Sequence, residues 1–160
     1  MNNSMEGKSP KQIFNTVKIM HLAICTGPLI FAIAMAYLVS LGESFGVTGI
    51  SSTLILLIAV LLFVTGIFLS NILYKKKIDT IIESYNIKDK FAIFTGAFIL
   101  KLALLEAPAL LCVVGFMLTA DYKLLIPVGI ILLFMYFSAP TLSKLTNDLK
   151  LTPDQIKELS

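Results

Sequence analysis

The sequence predicts an all-α membrane protein, a bundle of four transmembrane helices with both termini cytoplasmic. Three observations carry that prediction. Of 160 residues, 57% are hydrophobic and 14% charged, with a mean hydropathy of +0.89; ordinary globular domains hold about 45–50% apolar and about 25% charged residues. The runs Ile19 to Gly42, Ser44 to Tyr74, Ala107 to Ala120 and Leu124 to Ser143 contain no Lys, Asp or Glu. The lysines outside the runs gather in alternate connections, the pattern of a polytopic chain.

A bilayer core of about 30 Å needs about 20 apolar residues in a helix. Four segments meet that need: Lys18 to Leu41, Ile50 to Tyr74, Phe91 to Ala120 and Leu124 to Leu142. The first helix is predicted over residues 10–41, because Ser9-Pro10-Lys11-Gln12 reads as an N-cap, a proline at the first helical position and a capping-box glutamine. Its apolar run exceeds the 7–15 residues of a cleaved signal core, so it is read as retained. The second is predicted over 50–85. Beyond Tyr74, the residues Ile78, Ile81, Ile82 and Tyr85 recur at helical spacing while Asp79, Glu83 and the lysines take the other face. The third helix is predicted over 89–120. The fourth is placed at 124–143, with Pro127 in its first turn and Pro140 near its last, where prolines are tolerated. Thr152-Pro153-Asp154-Gln155 repeats the capping signal and opens a short cytoplasmic tail helix over 153–160, carrying Ile156 and Leu159.

Lysine placement sets the expected orientation. Lys8, Lys11 and Lys18 precede the first helix, Lys75, Lys76, Lys77, Lys88 and Lys90 lie between the second and third, and Lys144, Lys150 and Lys157 follow the fourth. The other side carries Lys123, with Glu43 and Asp121. Positive loops stay inside, so the chain is expected in the cytoplasmic membrane. A shift of eighty residues lays His21 on Lys101, Thr26 on Glu106 and Pro28 on Pro108. That overlay suggests two tandem helical hairpins, a parallel repeat of the kind found in some transporters.

Composition excludes several chemistries. One His and two distant Cys, Cys25 and Cys112, are too few for a zinc or haem site, so no metal site is expected. Scattered glycines form no phosphate-binding loop, so no cofactor is expected. Thirteen lysines and no arginine argue against nucleic-acid recognition, which favours arginine forks. No His cluster or exposed nucleophile defines catalytic residues, which leaves a membrane enzyme as the third-ranked class.

Glu106 is the anomaly of the sequence. It falls near the middle of the third helix with fourteen uncharged residues after it, and a carboxylate there costs at least about 2.5–3.5 kcal/mol on insertion scales. It must be protonated, paired or in contact with water. Desolvation favours the neutral form of an acid, a condition for exchanging a proton near neutral pH. Lys101 is the nearest cation in sequence, but five residues turn a helix through about 500°, which leaves the two side chains about 140° apart. Lys101 is therefore expected either to snorkel toward the headgroups or to modulate the charge of Glu106 from a distance. Pro108 removes a backbone bond to the carbonyl of Leu104, and Pro28 does the same in the first helix, so both are kink candidates. Thr26 and Thr65 are the polar groups expected level with Glu106, completing a candidate proton- or ion-binding set.

The third helix resembles the second helix of rotary ATPase c subunits, the proteolipids. The resemblance rests on Lys88-Asp89-Lys90, then Leu105-Glu106-Ala107-Pro108 in an apolar helix, then Val113-Val114-Gly115. It covers residues 88–118 and implies that Glu106 is a proton-carrying carboxyl. The sequence departs from that family elsewhere: Ile50 to Tyr74 contains a single glycine, Gly66, where the family's other helix has closely spaced glycines. The leading functional expectation is proton- or cation-coupled transport through Glu106. The competing one is a noncatalytic assembly or accessory subunit, acting as a homo-oligomer or within a larger complex in the lipid bilayer.

Overall fold

Long apolar stretches with few internal turn signals fold, among the described residues, as five α-helices: α1 (Pro10–Ser40), α2 (Ser52–Ile78), α3 (Ile87–Thr119), α4 (Leu125–Phe137) and α5 (Leu142–Asp148), with one 3₁₀ turn, Tyr122–Leu124, leading into α4. The computed structural model describes residues 10–43, 49, 51–82, 85–152 and 155–156. Lys8, Ser9, Ser44, Ile50, Glu83, Pro153, Asp154, Lys157 and Leu159, named above, lie outside the described residues. All regular structure among the described residues is helical. Three helices, α1, α2 and α3, are long and apolar enough to cross a membrane. A fourth crossing exists if α4 and α5, with the 3₁₀ turn, count as one span bent by 71°.

The centre of the fold is α3. Of its most apolar stretch 44% is buried, against 11% in α1 and in α2. Phe91, Phe94, Ala97, Phe98, Leu102, Leu105, Ala109, Cys112 and Phe116 fill its inward faces. By contrast, Ile30 and Ile33 of α1, Leu57, Leu61 and Phe68 of α2, and Ile126 and Leu133 of α4 stand exposed. Large apolar side chains turned outward around a packed interior suit a lipid surround.

α2 packs against α3 in an antiparallel register. Ile55 meets Gly115, Gly66 meets Leu104 and Lys77 meets Gly96, while Asn71 meets Lys101. α1 runs parallel to α3, with His21 beside Phe98 and Gly27 beside Glu106. This register separates Lys101 and Glu106, the charged residues of α3 beyond its first turn, by depth. Lys101 is level with the last turns of α2, where the lysine triplet begins, and Glu106 is level with the middle of the uncharged run of α2.

Local chemistry fixes the ends. The Asn86 side chain accepts from the Asp89 amide at 2.9 Å, and Asp89 in the first turn of α3 complements the helix dipole. Ala120 closes α3 in the left-handed conformation, φ 53°. At that end Ser52 of α2 donates to Asp121 Oδ2 at 2.7 Å and ties α2 to the turn before α4. At the other end Lys90, fully buried, donates to the Lys150 carbonyl at 2.9 Å and to Gln155 Oε1 at 3.2 Å.

Three expectations differ from the structure. α2 stops at Ile78 instead of continuing to residue 85: the Thr80 amide and hydroxyl both bond to the Lys77 carbonyl. That turn brings Ile81 back into the core at 1% exposure. The fourth helix ends at Phe137 instead of 143, because Pro140 has no N–H to offer the Tyr136 carbonyl and disfavours helical backbone at Ala139. At about 20 Å, α4 alone is shorter than the hydrocarbon core. Finally, α1 and α2 do not pack as a hairpin, because each lies against α3 and the two barely touch.

Candidate functional site

Glu106 projects half-buried from α3 toward α1. Its Oε1 lies 3.8 Å from where a Cβ on Gly27 would sit, so the missing side chain of Gly27 leaves room for the carboxyl. The buried rings of Pro28 and Pro108 flank the position on the two parallel helices. The Glu106 carboxyl makes no hydrogen bond or ion pair among the described residues. Thr26 and Thr65 do not reach it: Thr26 bonds to the Leu22 and Ala23 carbonyls at 2.9 and 3.0 Å. Thr65 is exposed on α2 and bonds to Leu61 and Leu62 of its own helix.

The Leu104 carbonyl receives no amide bond from Pro108 and faces Gly66 of α2. It lies 2.9 Å from the position a Gly66 Cβ would take, so α2 and α3 approach closely at this level. The proline therefore opens a backbone acceptor toward α2, on a different side from the Glu106 groove with α1.

Lys101 turns away from Glu106. Its Nζ donates to Asn71 Oδ1 at 2.7 Å and stands 5.3 Å from the centre of the Tyr74 ring. A long apolar stem carrying its charge to the polar edge is the snorkelling geometry. Nothing local in the sequence announced Asn71 as the partner, because the contact joins residues thirty positions apart on two helices. The one available signal was an amide among the apolar residues of α2, one turn before the lysine triplet.

His21 is 5% exposed and lies between α1, α3 and α4. Its Nε2 is 3.0 Å from the Met135 carbonyl, which can only accept, so Nε2 carries the proton. Cys25 Sγ lies 3.6 Å from the same nitrogen. This contact gives a second donor to a carbonyl of the last turn of α4, which also accepts from the Ser138 amide at 3.0 Å. Cys25 and Cys112 are both buried free thiols, and no group of three or more His, Cys, Asp or Glu able to hold a metal occurs among the described residues.

What the arrangement offers chemically is one carboxyl in the middle of an apolar helix without a hydrogen-bond or ion-pair partner among the described residues, separated from the chain's polar edge by more than a helical turn. Comparison with protein-family models, curated proteins and solved structures returns no match.

Proposed function

We propose that this chain is a multi-pass protein of the cytoplasmic membrane, with both termini cytoplasmic, and that Glu106 exchanges a proton or cation in coupled transport. The observation that carries the reading is the Glu106 carboxyl itself, level with the middle of the apolar run of α2 and without a hydrogen bond among the described residues. A carboxyl so placed is costly unless it is neutral or occupied, which is a reason to expect function. The likeness of residues 88–118 to the proton-carrying helix of c subunits supports the same chemistry by analogy. Four crossings, the last made by α4 and α5 together, put the lysine-bearing connections on one side as the positive-inside rule requires.

Reconstituted proteoliposomes test the reading. The wild-type chain dissipates an imposed pH or cation gradient, and Glu106→Gln does not while inserting equally well. Equal flux from the two proteins would overturn it. A second reading, an assembly subunit, is favoured by the same unpartnered carboxyl together with the exposed faces of α1 and α2, which suit neighbouring helices in a homo-oligomer or larger complex. In that case Glu106→Gln would dissociate the complex and the wild type would carry no flux.

A further inference from the structure

Away from Glu106, a cavity of about 440 Å³ opens where the last turns of α2, the middle of α3 and α5 converge. Four of its lining side chains are lysines, Lys75, Lys101, Lys144 and Lys150, and two are aspartates, Asp79 and Asp148. Six charged groups from α2, α3 and the α5 region leave a net of two positive charges facing one space.

The interior contacts show which of these charges are engaged. Tyr74 donates its hydroxyl to Asp148 Oδ2 at 2.5 Å, so one carboxylate is held against the wall. Lys101 and Lys144 approach the same Tyr74 ring, with their ammonium nitrogens at 5.3 and 5.7 Å from its centre. Lys101 commits one N–H to Asn71 at 2.7 Å and retains two. Lys150 donates to the Ile81 carbonyl at 3.3 Å. Lys144 is exposed, and its ammonium group makes no hydrogen bond among the described residues. Lys101 and Lys144, drawn to one ring, repel each other, the Asp148 carboxylate offsets part of that repulsion, and a further anion between the two ammonium groups is attracted by both.

We propose that this cavity binds a phosphate group, with Lys101 and Lys144 as its principal donors and Lys75 at its rim. Lysine ammonium groups serve phosphate as compact point charges, without the paired fork that a planar carboxylate favours. The space exceeds the needs of a single small ion and suits a phosphodiester with its substituents. Its level, beside the residue that ends the uncharged run of α2, is that of a headgroup layer. The phosphate therefore comes from an anionic phospholipid or from solution, and the site is independent of any role of Glu106.

The test uses the full chain in detergent. Native mass spectrometry follows titration with phosphatidylglycerol and, separately, phosphatidylcholine, while thermal unfolding follows titration with inorganic phosphate. Phosphatidylglycerol is expected to bind in preference to phosphatidylcholine, and Lys144→Gln and Lys101→Gln each weaken it about fivefold, the scale on which one basic side chain acts at an anionic lipid surface. Lys123→Gln, at the opposite end of the molecule, removes the same charge and leaves binding unchanged. If inorganic phosphate stabilises the chain and displaces the lipid, the site takes phosphate from solution as well. If it has no effect, the lipid is the ligand. Equal binding of the two lipids with no effect of inorganic phosphate would overturn the proposal, as would losses for Lys123→Gln matching those for Lys144→Gln. Lys144 is exposed on α5, so its variant keeps the test informative if Lys101→Gln fails to fold.

Discussion

The carbonyl oxygen of Leu104 lies 2.9 Å from where a Cβ on Gly66 would sit. Two sequence features meet in that contact, the proline that leaves the carbonyl without its amide and the single glycine of α2 that lets it approach. A side chain at residue 66 would have to move backbone, since the atom it meets is in the wall of α3.

Gly66→Ala is therefore expected to destabilise the chain. Overpacking costs about 1–3 kcal/mol, and the better helix propensity of alanine returns about 1 kcal/mol, so the net loss is about 1 kcal/mol, with Gly66→Val costing more. Gly129 of α4 has nothing within 4 Å of its Cβ position, and Gly129→Ala should be neutral or stabilising. Thermal unfolding in detergent micelles, followed by circular dichroism, compares the two. Equal behaviour would contradict the close approach.

His21→Phe removes the donor to the Met135 carbonyl. That carbonyl still accepts from the Ser138 amide at 3.0 Å, so the loss is one hydrogen bond, about 1 kcal/mol, and not the full penalty of an orphaned buried acceptor. A loss of several kcal/mol in the same unfolding assay would mean that His21 holds more than the end of α4.

Asp121 supplies a pH dependence with a definite sign. The Ser52 hydroxyl, and after it the Lys123 amide, hold its carboxyl below the ordinary aspartate range. A carboxyl depressed in the folded state contributes stability above its unfolded pKa, about 3.9, and loses it as pH falls through the lower folded value. The advantage of wild type over Ser52→Ala should thus be full above about pH 5 and shrink on acidification below about pH 4. A gap that widened toward acid would contradict the assignment.

Lys101 is bonded to Asn71 and turned away from Glu106. Lys101→Met should consequently leave the pH profile of Glu106 reactivity where it is in the wild type. A displaced profile would show that the two charges are coupled after all.

Much of this arrangement follows from signals carried by neighbouring residues. Pro10 opens α1, the uncharged runs form the apolar parts of the helices, and Thr152 and Gln155 exchange backbone and side-chain bonds at 3.2 and 3.4 Å, the reciprocal pattern of a capping box. Features decided at a distance were not legible. The periodicity of Ile78, Ile81 and Ile82 fits a continuing helix, yet Ile81 is buried by turning back onto the core, a choice made by tertiary packing. Pro140 stops α4 three residues before itself, and the polar residues after it start α5 from the Thr141 cap, which accepts from the Lys144 amide at 3.3 Å. The position of Glu106 could be read by counting along one helix. That Gly27 faces it, while Thr26 and Thr65 bond to their own helices, depends on how three helices are rotated about their axes.

The most direct test of the central claim is carbodiimide labelling of the chain in native-like membranes over a pH series, read by mass spectrometry with Glu106→Gln as the control. The account predicts modification at Glu106 that is present at neutral pH, falls as pH is raised and is absent from Glu106→Gln. No modification of Glu106 at any pH would mean that the carboxyl is occluded or permanently paired, and would contradict a proton-exchanging role.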